Sequence, residues 1–283
     1  MRSIVHQLSR EFFGKSLPLS EFPVRKNIKG IGMTDSFSYA IPLAEKFDYT
    51  NTYYHCEPFF DITAHHPERY GTLDFVISSD VFEHIAPPVQ RAFDEVRRLL
   101  KPAGRFILTV PSSLDPETRE HYPDLHEYGV TKIADKSVIV NRKKDGSIQV
   151  HLDPVFHGGD GTTLEMRLFS RQALSKHLTA AGFDEVVFLD EAEERYGIVF
   201  DGAWGHPLVA RPGAGQPVPL PTEQKDQEEE IRLLHAREKI DALQDENGIL
   251  QMRLAHLSKQ IALASESRWL RLGRKLGLGP KFH

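Results

Sequence analysis

The sequence predicts an α/β protein built on a parallel sheet, and three observations carry that expectation. Phe75-Val76-Ile77 and Phe106-Ile107-Leu108-Thr109-Val110 are short apolar runs with β-branched residues, as buried strands of a parallel sheet require. Between them, Val89, Phe93, Val96, Leu99 and Leu100 recur at helical spacing, opened by Pro87-Pro88 and stopped by Pro102 and Gly104. Leu73 to Pro111 is therefore one strand–helix–strand unit, whose crossover is right-handed in nearly all proteins. The third observation is size. With 283 residues and 40% hydrophobic content, the chain is long enough to bury a substantial core.

Composition excludes several classes. The net charge of −5 gives no general attraction to nucleic acid, and no nucleic-acid partner is expected. The single cysteine, Cys56, rules out an internal disulfide framework and fits a reducing compartment. No apolar run approaches the roughly 18 residues that span a bilayer. The first fifteen or so residues lack the apolar core of a signal peptide, so the expected location is cytoplasmic.

The run Asp74-Phe75-Val76-Ile77-Ser78-Ser79-Asp80-Val81-Phe82-Glu83-His84, followed by Leu99-Leu100-Lys101-Pro102-Ala103-Gly104, resembles the fourth and fifth strand region of class I S-adenosylmethionine-dependent methyltransferases. Ala103 stands where the typical form has a second glycine. The resemblance covers residues 28–211 and implies a Rossmann-like, doubly wound, mostly parallel sheet with an antiparallel last strand. It also implies S-adenosylmethionine as cofactor, bound over the carboxyl ends of the strands.

Taken in order, residues 1–27 form a helical lead, with Ile4, Val5, Leu8, Phe12 and Phe13 on one face to cover an edge of the sheet. Ile28 to Asp35 then stands where the first strand and its glycine-rich turn belong. Gly30 and Gly32 let the backbone approach a ligand there, and Asp35 closes the segment; Met33-Thr34-Asp35 replaces the rest of the usual glycine pattern. An ordinary tight turn is the alternative. Asn51 to Glu57 reads as the second strand, and the resemblance gives Glu57 the ribose hydroxyls; a solvated loop glutamate is the alternative. By the same resemblance Asp61 meets the adenine amino group, Ile62 flanks the ring, and Ser79 and Asp80 complete the cofactor site. His65-His66 reads as surface.

After Pro111, His121, Asp124, His126 and Glu127 crowd a polar stretch that reads as a loop of the acceptor pocket. Their spacing is not a specific ligand pattern, and no metal is expected. Ser137–Asn141 and Ser147–His151 alternate around Lys144-Asp145-Gly146, a β-hairpin signal. With the glycine-rich segment from His157 to Gly161, this hairpin reads as an insertion that lids the site. Ser170 caps a helix running to Ala181-Gly182. Val186–Leu189 resembles the family's antiparallel strand, and Pro207–Ala210 closes the sheet.

Residues 212–228 are a Pro- and Gly-rich linker. Within residues 229–266, Leu233, Ile240, Asn247, Leu254 and Ile261 alternate with Ala236, Leu243, Leu250, Leu257 and Ala264 as an a/d heptad. This predicts a C-terminal coiled-coil helix and a parallel homodimer through residues 233–264. A helix folded back on its own domain is the alternative. Residues 267–283 have no acidic residue and interleave Arg268, Arg271, Arg274 and Lys275 with Trp269, Leu270 and Leu272. That pattern suits an anionic membrane surface, giving peripheral attachment at the inner membrane face; a solvated tail is the alternative.

The chemistry expected is methyl transfer to a small-molecule or cell-envelope glycan acceptor, with O-methylation favoured. A hydroxyl acceptor must lose its proton, and His84, just past the motif strand, is the candidate base, with His121, His126 and His157 in reserve. A structural histidine is the alternative for His84. The rival function is a catalytically silent methyltransferase-like scaffold dimerised by its heptad.

Overall fold

The computed structural model describes residues 2–133, 136–157, 163–200, 205–215 and 217. The chain divides into two compact units, Met1–Pro219 and Leu220–His283, and all described residues belong to the first. The heptad, the basic tail, most of the linker and residues 158–161 lie outside the described residues.

The chain opens with helix α1 (Arg2–Phe13) and strand β1 (Arg25–Met33). Helix α2 (Phe37–Lys46), β2 (Phe47–Thr52) and β3 (Leu73–Ser79) follow. Helix α3 (Gln90–Leu99) and β4 (Leu100–Thr109) complete the predicted strand–helix–strand unit. Then come β5 (Glu127–Ile133), β6 (Lys136–Arg142), β7 (Ile148–His151) and, in a separate small sheet, β8 (Arg167–Ser170). The unit closes with α4 (Arg171–Ala181), β9 (Phe183–Phe188) and β10 (Leu208–Pro212).

Six strands form one sheet in the order β9-β10-β4-β3-β1-β2. β1 lies parallel to β2 and β3, and β3 parallel to β4. β10 is the antiparallel member, inserted between β4 and β9. The last strand is thus antiparallel as expected. The segment around Val186–Leu189, expected to be antiparallel too, is antiparallel only to β10 and so runs with the parallel strands.

Side chains alternate across the sheet and build two cores. On one face Val76, Phe106, Leu108 and Ala210 pack with Phe93 and Val96 of α3 and Leu174 and Leu178 of α4. On the other, Phe75, Ile77, Ile107 and Val209 pack with Ile4 and Leu8 of α1 and Leu43 of α2. Each buried side chain of this size contributes about 1.5–3 kcal/mol. Contact with Ile107 and Val209 places α1 over a face of the sheet, not along an edge as its sequence alone suggested.

Two cross-links fix this layering. Glu11 of α1 receives a fork from Arg211 on β10, at 2.6 and 3.0 Å, and a further bond from Arg105 on β4. Burial works to raise the Glu11 pKa, but the bonds from Arg211 and Arg105 outweigh it and hold the carboxylate below its usual range. Arg97 of α3, buried, donates to the Gly182 and Gly215 carbonyls at 3.0 and 2.7 Å.

The segment after Pro111 is more ordered than a loop. β5, β6 and β7 form a three-stranded antiparallel sheet, with Val130 opposite Ile139 and Val140 opposite Val150. Glu127, grouped with the polar cluster by sequence, is the first residue of β5 and pairs with Arg142 across the ladder.

Candidate active site

The carboxyl ends of β1 and β3 lie side by side, with Met33 opposite Ser78. Immediately past each end the backbone turns through the left-handed region at a residue that is not glycine. Thr34 has φ 57° and Asp80 has φ 55°, the two positive-φ non-glycine residues among the described residues. Such conformations cost of order 1–3 kcal/mol and concentrate where a binding site dictates the backbone path.

Gly30 and Gly32 both lie inside β1, so the turn itself is Thr34 to Ser36 and not the glycine pair. Packing explains both glycines. A Cβ on Gly30 would sit 2.3 Å from the Phe75 ring, and one on Gly32 would sit 2.0 Å from Asp35 Oδ2 and 2.1 Å from the Tyr49 hydroxyl. Asp35 is buried, and its Oδ1 has no hydrogen bond. Burial pushes its carboxyl up to about 6, against the opposing effect of the Tyr49 and Tyr39 hydroxyls beside it. Asn51 fixes the turn from β2, accepting from the Asp35 amide at 2.9 Å and donating to its carbonyl at 2.8 Å.

β2 ends at Thr52, five residues before Glu57, which lies in an exposed loop. The predicted strand Asn51–Glu57 was shifted because Phe47, Tyr49 and Asn51 pair with β1 instead. Glu57 Oε2 accepts from the Phe59 amide at 2.9 Å, and Asp61 Oδ1 accepts from the Thr63 amide and hydroxyl at 2.9 and 2.7 Å. Each carboxylate thus braces its own loop with one oxygen and keeps the other as an acceptor. Ile62 is buried in the core on the α3 side. Ser79 accepts from the Thr109 hydroxyl at 2.9 Å and donates to Asp80 Oδ2 at 3.3 Å. His65 and His66 are not surface residues. His66 is buried, stacked on Phe60 with ring centroids 4.3 Å apart, and both histidines bond to the buried Glu95.

Beyond Asp80, a single 3-10 turn, Phe82–His84, carries Glu83 and His84. The Leu164 carbonyl lies 2.8 Å from His84 Nδ1, so Nδ1 holds the proton and Nε2 carries the lone pair. Nε2 accepts from His157 Nδ1–H at 3.2 Å and has Glu83 Oε1 at 3.7 Å. Burial lowers the His84 pKa, and the bond to Leu164 opposes it. Glu83 is fully buried and neither of its carboxylate oxygens has a hydrogen bond. Burial, with Asp80 and Glu165 nearby, pushes it up to about 8, although Arg167 pulls the other way.

Glu165 joins this group, accepting from His121 Nε2 at 3.0 Å. Asp124 and His126 are drawn instead to the added sheet, where Asp124 pairs with Lys143 at 2.8 Å and the His126 amide donates to Asn141 at 2.9 Å. Arg167 of β8 holds the turn in place. Its guanidinium is buried and donates to the Phe82 and Ile85 carbonyls at 3.1 and 2.6 Å and to Glu120 at 2.8 Å. Glu83, Glu165 and Arg167 carried no signal in the sequence, because burial and contacts about eighty residues apart define them.

Residues 34–108, from the Thr34 turn to β4, match the family described as a methyltransferase domain. S-adenosylmethionine is the cofactor that this match supports. Among solved structures, the chain is similar to a Burkholderia thailandensis 1,6-didemethyltoxoflavin-N1-methyltransferase with bound 1,6-didemethyltoxoflavin and S-adenosylhomocysteine, at 13% identity over 74% of this chain and 78% of that one, with a TM-score of 0.43. It is similar to an S-adenosylmethionine-dependent methyltransferase from Clostridium acetobutylicum at 12% identity over 74% and 97%, with a TM-score of 0.37. The glycopeptide N-methyltransferase MtfA complexed with S-adenosylmethionine gives 12% identity over 73% and 92%, with a TM-score of 0.38. No curated protein matches the sequence.

Proposed function

We propose that the protein is an S-adenosylmethionine-dependent methyltransferase acting on a hydroxyl of a small-molecule or cell-envelope glycan acceptor. The observation that carries this reading is the lone pair of His84 Nε2, held beside the carboxyl end of β3 within the segment that matches the methyltransferase family. The chemistry of the residues read as the cofactor site suits S-adenosylmethionine. The spare oxygens of Glu57 and Asp61 are pure acceptors, which suits the ribose hydroxyls and the adenine amino group. Ser79, Asp80 and the Thr34–Asp35 turn line the same strand ends.

The cofactor supplies a methyl group already activated by its sulfonium. The chain's own work is to align the acceptor with it and to remove a proton. S-adenosylmethionine bound there would supply the methyl group to the acceptor oxygen and would keep the carbon–sulfur electron pair on its sulfur. The acceptor's proton passes to His84 Nε2, and the Leu164 carbonyl steadies the resulting imidazolium through Nδ1. The sheet of β5, β6 and β7 is read as a lid for the acceptor from its place in the chain after β4. The test is turnover with a panel of hydroxylated acceptors. His84→Ala is expected to lower it ~10²-fold or more while cofactor affinity holds.

The rival reading, a catalytically silent scaffold, draws on one observation: Asp35 and Tyr49 fill the space over Gly32 with the protein's own atoms. Calorimetric titration with S-adenosylmethionine separates the two, since a silent scaffold gives no heat. In either case the heptad at 233–264 is read as a parallel homodimer and the tail at 267–283 as an anchor to anionic membrane at the inner face. No helix among the described residues is long and apolar enough to cross a membrane.

A further inference from the structure

Glu83, His84 and His157 form the one group among the described residues whose potential ligand atoms converge as a metal site requires. His84 Nε2 and His157 Nδ1 are 3.2 Å apart, and each lies near Glu83 Oε1, at 3.7 and 3.6 Å respectively. Ligand atoms 2.0–2.1 Å from a tetrahedral zinc ion are separated by roughly 3.3–3.4 Å, so this triangle already has close to the edge length of a filled site. From this geometry we infer that Glu83, His84 and His157 bind a divalent first-row transition-metal ion, with the fourth position open.

Three further features agree. Glu83 is fully buried with both carboxylate oxygens lacking a hydrogen bond, and a carboxyl so placed needs a partner. The bond from His84 Nδ1 to the Leu164 carbonyl is the outer contact that fixes a metal-binding imidazole in orientation and tautomer. His157 is held opposite Thr163 in a short antiparallel ladder and stays half exposed, which leaves that edge of the triangle open to solvent. Glu165 Oε2, 4.0 Å from His157 Nδ1, is the next carboxylate outward. Two histidines and one glutamate with an open position is a donor set used by catalytic zinc and suits its neighbours in the first transition row.

A role in methyl transfer rests on the methyltransferase reading, whereas the binding of the ion does not. An ion at this point holds the acceptor oxygen beside the carboxyl end of β3. The His84 lone pair serves either as base or as ligand: with the ion bound it is occupied, and the acceptor's proton then leaves to water, because coordination to a dication acidifies the hydroxyl.

The test uses the full chain freed of metal with a chelator and titrated with Co²⁺, followed by visible absorption and calorimetry, then with Zn²⁺ in competition. One equivalent per chain is expected, with the intense visible bands of low-symmetry Co²⁺. His157→Ala, at a half-exposed position, should remain folded by circular dichroism and weaken binding at least 100-fold, and Glu83→Gln should do the same. Cys56→Ser, which removes the exposed thiol, should bind as the wild type does. Absence of binding, or binding that survives His84→Ala/His157→Ala, overturns the site. A separate titration with S-adenosylmethionine keeps the two readings apart: if the chain binds Co²⁺ but not S-adenosylmethionine, the methyltransferase reading alone falls.

Discussion

The Tyr49 hydroxyl donates to Asp35 Oδ2 at 2.5 Å, directly over the α-carbon of Gly32. This buried carboxyl has a folded-state pKa of about 6, raised by burial above its ordinary value of 3.8. A raised acid is bound to its proton longer in the folded state, so stability is highest below the unfolded pKa and falls as pH rises through the folded one. Asp35→Asn removes that dependence. Denaturation of both proteins between pH 4 and pH 8 should show the variant gaining on the wild type across pH 4–6, by up to about 3 kcal/mol. A pH-independent difference counts against a buried, titrating Asp35.

Thr34 pays for its left-handed backbone without a compensating burial, since its side chain is exposed. Thr34→Gly should therefore raise stability by about 1 kcal/mol, net of glycine's larger unfolded-state freedom. Thermal melting measures it directly. An unchanged or lower melting temperature means that the threonine side chain makes a contact worth as much as the strain.

Glu57→Ala should weaken S-adenosylmethionine binding by more than tenfold, because losing a charge-assisted hydrogen bond costs about 1.5–3 kcal/mol. Calorimetry on the variant gives the figure. Equal affinities would assign Glu57 to its loop alone, through the bond to the Phe59 amide.

Arg167→Met should destabilise the fold by about 3–5 kcal/mol, since it deprives two buried carbonyls and Glu120 of a charged partner. Chemical denaturation is the measurement. A loss under 1 kcal/mol would mean that the Phe82–His84 turn is held by its packing and not by the guanidinium.

For the C-terminal heptad the expectation comes from sequence alone. Truncation before Glu223 should yield a folded monomer that still binds cofactor, and Asn247→Ile should raise the melting temperature while admitting higher oligomers. Light scattering on the full chain and the truncation decides it. A monomeric full chain, or a dimeric truncation, removes the coiled coil.

The central strand–helix–strand unit was legible because its signals are local: apolar runs at Phe75–Ile77 and Phe106–Val110, with helical spacing between. Ser170 likewise announced its helix, accepting from the Ala173 amide at 3.0 Å. β2 was harder, since Phe47-Asp48-Tyr49 blends into the preceding helix and only pairing with β1 defines it. β5 did leave a trace, the alternation of Tyr128 and Val130, but a weak edge strand among polar residues is settled by its partner, β6. At the site, the sequence places His84 just past the motif strand, and the structure puts it in the 3-10 turn that follows β3. The burial of Glu83 depends on Arg167 and the ladder at Thr163–Leu164, which no neighbour in sequence reports.

The clasp on Glu11 links residues separated by 200 positions along the chain. During synthesis, α1 therefore leaves the ribosome long before its arginine partner on β10 exists. At about 5–20 residues per second, that interval lasts roughly 10–40 s. Throughout it, Ile4, Leu8, Phe12 and Phe13 have no finished sheet to cover. The apolar face of α1 thus waits uncovered for its sheet, and a ribosome pause before residue 211 would lengthen that exposure.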